Sequence, residues 1–457
     1  MIGAGTVADA STPTHRGDWS RQIARGLLIG ATVASFVALA WLTPSGMLAN
    51  GTWWLDEGVR YRAATLMFNY IDLGAVRRGL GGTLLRLTGL DPLFGLAVFH
   101  LLSSVFTAAV MGALIWQRAV TPPLRALWTI GIAALFLFWS ADSGRTDVVL
   151  AGLLGLVALL ARRRPVLAAV CFVVAIGFHE TALIYGLPLV LALWLDGRWH
   201  PASGPAAGRR GAAVARAPPL PLGAPPSGVA TRHALLTAAM LIAVAACVQA
   251  LMGRLPHADF DTTVQWFWSR FPRSEAAEWA LYFYVAGARG IKLAVCNNRW
   301  VDPNYAIHLL SGLVVIGAAV VVFNGSLRRG WLPPLLAGLV PFLFLSAITI
   351  DMTRWSTFAA VNAWLVCVTR PAGDDGPPPG PANVARRGVL LSLLIFAVSP
   401  RHVTVAGLDI FSPAPVVDRV MWKFTGPRSS PGIQVGLRAC DPTWRELLVP
   451  GRARVTR

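Results

Sequence analysis

Leu93-Phe94-Gly95-Leu96-Ala97-Val98-Phe99-His100-Leu101-Leu102-Ser103-Ser104-Val105-Phe106-Thr107-Ala108-Ala109-Val110-Met111-Gly112-Ala113-Leu114-Ile115-Trp116 runs from end to end without an Asp, Glu, Lys or Arg. At about 1.5 Å per residue a helix over this stretch is roughly 36 Å long, enough to cross a hydrocarbon layer of about 30 Å while satisfying every backbone polar group internally. Similar blocks occupy 26–42, 234–252, 305–323 and 332–350, and shorter ones 126–139, 148–161, 166–178, 181–195, 355–368 and 388–399. The chain agrees as a whole, with 55% apolar and 14% charged residues where a soluble protein has about a quarter charged. The expected fold is all-α, a polytopic transmembrane helix bundle of about eleven spans (roughly 9–13). The 166–178 and 181–195 blocks are short for crossing and suit a hairpin entering from one face, with His179-Glu180 at its tip.

Cations between the blocks set the orientation. The segments expected inside hold the Arg162-Arg163-Arg164 run and the pairs Arg209-Arg210, Arg328-Arg329 and Arg386-Arg387, whereas the short outer turns hold Arg145 and Arg354. This asymmetry places the N-terminus in the cytoplasm of a multi-pass plasma (inner) membrane protein. Long translocated segments weigh less in that rule, so the cations within 43–92, 253–304 and 400–457 do not reverse it. The formal charge of +18 implies no nucleic acid, because the basic residues are dispersed between apolar blocks instead of gathered on one face.

The resulting organisation is a cytoplasmic tail 1–25, a first helix group 26–200 with outer loop 43–92, and a flexible cytoplasmic linker 201–233 rich in Pro, Ala, Gly and Arg. A second helix group 234–399 follows, with outer loop 253–304, and then an extracytoplasmic tail 400–457. A second inner linker, 371–385, sets off the last span. Ala38-Leu39-Ala40 resembles a signal cleavage site, but Trp41-Leu42 continue the apolar block and favour an uncleaved span. Cys171, Cys247 and Cys367 fall in spans, while Cys296 and Cys440 both fall outside, where a disulfide is permitted in an oxidising compartment.

With this sidedness the charges next to the spans sort to one face: Asp56-Glu57, Asp72, Arg77-Arg78, Asp142, Arg145, Asp147, His179-Glu180, Asp351 and Arg354. Ionisable groups at the bilayer edge are costly unless paired, hydrated or used, so they form the candidate site. Two adjacent carboxylates at Asp56-Glu57 repel each other and lose hydration, which raises a pKa and suits a general base. They equally suit a divalent cation, or salt bridges to Arg60 and Arg62. Arg77-Arg78 precede Gly79, Gly81 and Gly82, a setting for phosphate or pyrophosphate where bare backbone comes close to an anion, or for a tight turn on the membrane. Asp142…Arg145 and Asp351…Arg354 each place an acid and an arginine three apart, either as a local salt bridge or as an acid aiming its arginine at a phosphate. His179-Glu180 lacks further histidines at ligand spacing, so zinc is not expected. The aromatic residues of 253–304, among them Trp266, Trp268 and Trp279, suit the headgroup level or the face of a sugar ring or isoprenoid.

Many spans, the acidic pair within Leu55-Asp56-Glu57-Gly58-Val59-Arg60-Tyr61, and charges clustered along one face together resemble the GT-C class of membrane glycosyltransferases and the related exopolysaccharide polymerases. That resemblance implies a sugar donor carried on polyprenyl phosphate or pyrophosphate in the membrane lipid. It implies a base at Asp56 or Glu57, and Arg77, Arg78, Arg145 and Arg354 holding the phosphate leaving group, with Asp72, Asp142, Asp147, His179, Glu180 and Asp351 in support. A separate outer domain is not apparent in the sequence. The rival class is a transporter or flippase for a lipid-linked or anionic substrate, to which Pro188, Pro341 and the two similar Asp/Arg turns belong equally well.

Overall fold

The computed structural model describes residues 57–74, 78–118, 128–129, 132, 146–161, 164–199, 244, 258–285, 292, 295–296, 305–324, 330–348, 352–369, 402–403, 409–410, 440 and 442–449. The expected spans 26–42, 234–252 and 388–399, most of 126–139, and both inner linkers lie outside the described residues. What is described is helical, apart from a two-residue antiparallel pairing of His402 with Ile410 and Val403 with Asp409. The helices are α1 (Glu57–Thr65), α2 (Tyr70–Leu73), α3 (Gly79–Thr88), α4 (Pro92–Arg118), α5 (Asp147–Leu160) and α6 (Pro165–Phe178). They continue as α7 (Thr181–Trp199), α8 (Phe260–Arg270), α9 (Glu275–Val285), α10 (Tyr305–Asn324), α11 (Leu332–Ile348) and α12 (Met352–Thr369), with a 3₁₀ turn at Trp444–Leu448.

Side-chain contacts give the helix directions. Thr107 and Phe106 meet Gly152, while Val110, Met111 and Leu114 meet Gly155, so α4 and α5 run parallel. Gly312 lies on Phe342 and Gly338 on Ile316, which makes α10 and α11 antiparallel. Phe172 of α6 lies on Gly186 of α7 across the His179-Glu180 turn. The two helices form less of a hairpin than expected, because α6 packs chiefly along α5 and α7 along α11 and α12.

α12 is the central helix, packed by α10, α11, α7, α5 and α4, and described side chains from Trp355 to Thr369 are buried. It hydrogen-bonds across to its neighbours: the Asn362 side-chain amide donates to the carbonyls of Tyr185 (2.8 Å) and Ala337 (3.2 Å), and the Tyr185 hydroxyl donates to the Trp355 carbonyl (3.0 Å). The bundle core continues through Leu150, Leu154, Phe172, Phe342 and Phe358.

A second, aromatic core lies apart from the bundle. It unites Phe68 of the first expected outer loop, Phe267, Trp279 and Tyr282 of the second, and Trp444 of the tail. Phe68 stacks on Tyr284 and Phe267, and Trp444 stacks on Trp279 at 5.2 Å between centroids. A Cys296–Cys440 disulfide joins the second loop to the tail. Described residues of the three long segments expected outside therefore share one core, to which Leu96 of α4 also belongs.

Around the bundle, large apolar side chains face outward on several helices, including Leu102 (63% exposed), Val166 (68%), Leu310 (63%) and Phe344 (53%). Among the described residues one helix, Pro92–Trp116 with mean hydropathy 2.0, is long and apolar enough to cross a membrane, accompanied by five shorter apolar helices.

Candidate functional site

The site begins at the entry to α3. Asn69 caps α2, accepting hydrogen bonds from the Ile71 and Asp72 amides (3.0 and 2.8 Å) and donating to the Met67 carbonyl and the Asp72 carboxylate. Asp72 also accepts from Arg86 at 3.2 Å, so this expected supporting acid serves the local turn. After the turn, Arg78 adopts φ 57° and ψ 21°, making it the non-glycine residue with positive φ among those described. A long side chain in the left-handed region costs about 1–2 kcal/mol and persists where its surroundings demand it. Two constraints act here. The α3 backbone is pinned, because a Cβ on Gly82 would meet the Phe68 carbonyl oxygen at 2.1 Å, and the Arg78 side chain is held by Glu180. Gly82 therefore serves the packing of α3 on the 66–68 turn.

Arg78 and Glu180 pair edge to edge, Nε–H to Oε2 at 3.0 Å and Nη2–H to Oε1 at 2.7 Å. Nothing described hydrogen-bonds the remaining Nη1 edge of Arg78. Both side chains keep more than a third of their surface, 39% and 37%. Desolvation opposes the Glu180 charge, but Arg78 and then His179 outweigh it and hold the carboxyl well below its usual range. Desolvation likewise opposes the Arg78 charge, and Glu180, with smaller help from Tyr61 and Asp147, raises its pKa. Tyr70, whose hydroxyl donates to the Gly177 carbonyl at 3.2 Å, has its pKa raised by burial and by Glu180.

Directly behind lies a buried pair. Asp147, the first residue of α5, is fully buried and receives two hydrogen bonds from Arg354 in the first turn of α12: Nε–H to Oδ2, and Nη2–H to Oδ1 at 2.7 Å. The Arg354 guanidinium also lies over the Trp355 ring, 4.3 Å from its centroid. His179, with its side chain 3% exposed, bridges the two pairs: its Nε2 is 3.5 Å from Arg354 Nη2 and its Nδ1 3.5 Å from Glu180 Oε2. The Thr181 amide and hydroxyl both approach Nδ1, at 3.1 and 2.9 Å.

Five expected residues, Arg78, Asp147, His179, Glu180 and Arg354, thus meet at one end of the bundle from four distant parts of the chain. Glu57 opens α1, and Tyr61 one turn later belongs to the charge environment of Arg78, so the first outer loop borders the site. Asp56, Arg77, Asp142, Arg145 and Asp351 lie outside the described residues. Sequence reasoning missed Tyr61, Tyr70, Thr181 and Trp355; Thr181 and Trp355 immediately follow residues it did select. Among the described residues no three His, Cys, Asp or Glu side chains converge on a metal position. Chemically, the arrangement offers two guanidinium groups and an imidazole in a partly desolvated setting, each guanidinium braced by a carboxylate. Comparison of the chain with family models, curated proteins and solved structures finds no match.

Proposed function

We propose that this chain is a multi-pass glycosyltransferase of the plasma membrane that takes a sugar from a polyprenyl phosphate or pyrophosphate donor and transfers it to an acceptor at the outer face, in the synthesis of a cell-surface glycan. The observation that carries the reading is the convergence of Arg78, His179 and Arg354 beside the lobe built from the long outer segments. Such a donor needs cations for its phosphate, a site at the bilayer edge and a base for the acceptor. The outward-facing apolar side chains of α4, α6, α10 and α11 suit contact with lipid, and the alternating helix directions suit about eleven spans (roughly 9–13).

In this reaction the acceptor oxygen attacks the sugar's anomeric carbon as Asp56 or Glu57 takes its proton, with or without a divalent cation on that acidic pair. The bond from that carbon to the phosphate oxygen breaks, and the lipid phosphate leaves with the electron pair. Arg78 and Arg354, with Arg77 and Arg145, stabilise the charge gained by the leaving group. Asp147 and Glu180 orient the two arginines, and Asp72, Asp142 and Asp351 support the surrounding turns.

The test is lipid-linked glycan analysis of Asp56→Asn, Glu57→Gln and the double variant, expressed at normal levels. At least one single substitution abolishes product; wild-type activity in the double variant refutes the base assignment. The Asp147–Arg354 pair, with its carboxylate fully buried, also suits a second reading, a transporter or flippase for a lipid-linked or anionic substrate. Donor-dependent movement of substrate across vesicles without glycosidic bond formation would favour that reading.

A further inference from the structure

For a helix in water, α3 is built inside out. Gly81, Gly82 and Leu85 face the protein: a Cβ on Gly81 would meet Leu66, one on Gly82 the Phe68 carbonyl, and the Leu85 side chain lies on Gly95 of α4. The other side carries Leu84 and Leu87, both exposed, the second to 69%. A surface helix in water turns its large apolar residues inward and its polar ones outward. Here the glycines are inside and the leucines outside. The single ionisable side chain within Gly79–Thr88 is Arg86, and it pairs with Asp72, whose carboxylate also accepts from Asn69. Pairing of that kind suits a helix at the edge of hydrocarbon.

The first turn of α3 meets the last turn of α6, with Leu80 on Gly177 and Gly81 on Phe178, while its second turn meets the first turn of α4 through Leu85 and Gly95. It thus crosses the end of the bundle instead of extending a span. The exposed leucines adjoin α4, which itself turns Phe94 and Leu102 outward and is long and apolar enough to cross a membrane. With Ile71 of α2, the large exposed apolar side chains at this end are Ile71, Leu84, Leu87 and Phe94. A stable contact with a second protein chain takes about 20–30 residues a side. Lipid hydrocarbon needs no such area and no complementary shape. We propose that α3 lies along the outer surface of the bilayer with Leu84 and Leu87 among lipid hydrocarbon chains, and so fixes Arg78, which opens it, at the level of the phosphate headgroups. The inference rests on the membrane reading above and adds to it an element that lies in the membrane surface. Arg78 shares the depth of α3 because it is the N-cap of that helix, whose backbone Gly82 pins to the 66–68 turn.

The full-length protein is placed in vesicles of phosphatidylcholine and phosphatidylglycerol with a nitroxide at Leu87→Cys or, separately, at Leu102→Cys. Cys171→Ala, Cys247→Ala and Cys367→Ala remove the other thiols, and the bridged Cys296 and Cys440 do not react. Power saturation of the spin label reads its collisions with oxygen, which concentrates in lipid, and with a nickel chelate confined to water. Oxygen is expected to dominate at both positions, more strongly at Leu102, which lies about 15 Å along α4 from Pro92. Nickel dominating at Leu87 while oxygen dominates at Leu102 overturns the surface helix and leaves the wider membrane reading intact. Shielding of Leu87 from both reagents shows a protein cover and overturns it as well. Nickel dominating at both positions overturns the membrane reading too. A second measurement keeps all native cysteines: with Leu87 replaced by p-benzoylphenylalanine, illumination in the same vesicles should give a lipid adduct by mass spectrometry. Adducts to protein alone overturn the proposal.

Discussion

Substituting Asp147 by Ala removes the carboxylate that neutralises Arg354 at one end of the bundle. In the wild type Asp147 is fully buried, the Arg354 side chain is 13% exposed, and two N–H bonds join them. Taking away one partner leaves a guanidinium with little access to water, and breaking a buried pair in this way costs about 3–5 kcal/mol. The Trp355 ring and the His179 edge remain beside Arg354, and neither supplies a negative charge. Heat unfolding of the purified protein in detergent, followed by tryptophan fluorescence, should show a midpoint lowered by roughly 10 °C. Asp147→Asn, which keeps one acceptor oxygen but no charge, falls between. The double variant Asp147→Leu/Arg354→Met removes both charges and fills a similar volume, so it recovers most of the loss. A midpoint for Asp147→Ala within 2 °C of wild type, or a double variant no more stable than the single one, would refute the argument that burial of a paired charge governs this site.

Acid should act on the outer pair. The folded-state pKa of Glu180 is depressed, so its contribution is fully present above the unfolded carboxyl value of about 4.3 and disappears as pH falls through the lower folded value. Because both partners are more than a third exposed, the contribution is at most about 1 kcal/mol; an acid titration of stability in Arg78→Met should lack that component, and an unchanged acid limb would count against the pairing. Gly82→Ala places a methyl against two backbone carbonyl oxygens and should destabilise by about 1–3 kcal/mol, whereas Gly112→Ala, with open space around its Cβ, should be neutral or stabilising in the same unfolding assay. Maleimide labelling of denatured protein should leave Cys296 and Cys440 unreacted until a reductant is added, and their joint replacement by Ser should cost about 4–5 kcal/mol from release of a long loop closure. Labelling of all five cysteines without reductant would show the bridge absent.

Sequence alone determined the helical class and singled out the acids, arginines and His179 next to the apolar blocks as site candidates. Both follow from local rules: long charge-free runs make helices, and ionisable groups beside them are costly unless paired, hydrated or used. The same rules left partners open. They offered Asp351 three residues before Arg354, as a local salt bridge or to aim the arginine, and could not show that packing brings Asp147 to Arg354 from 207 residues away. They placed Arg78 near an anion, and tertiary structure assigned it Glu180, 102 residues off, along with a left-handed backbone. Gly82 looked like access for a ligand, and only the approach of the 66–68 turn showed what its missing side chain serves. The aromatic core was equally hidden, because it is shared among three segments far apart in the chain. Periodicity tells which face of a helix a side chain occupies, but which other helix that face meets depends on contacts among residues far apart in the chain, and those exist only once the bundle is assembled.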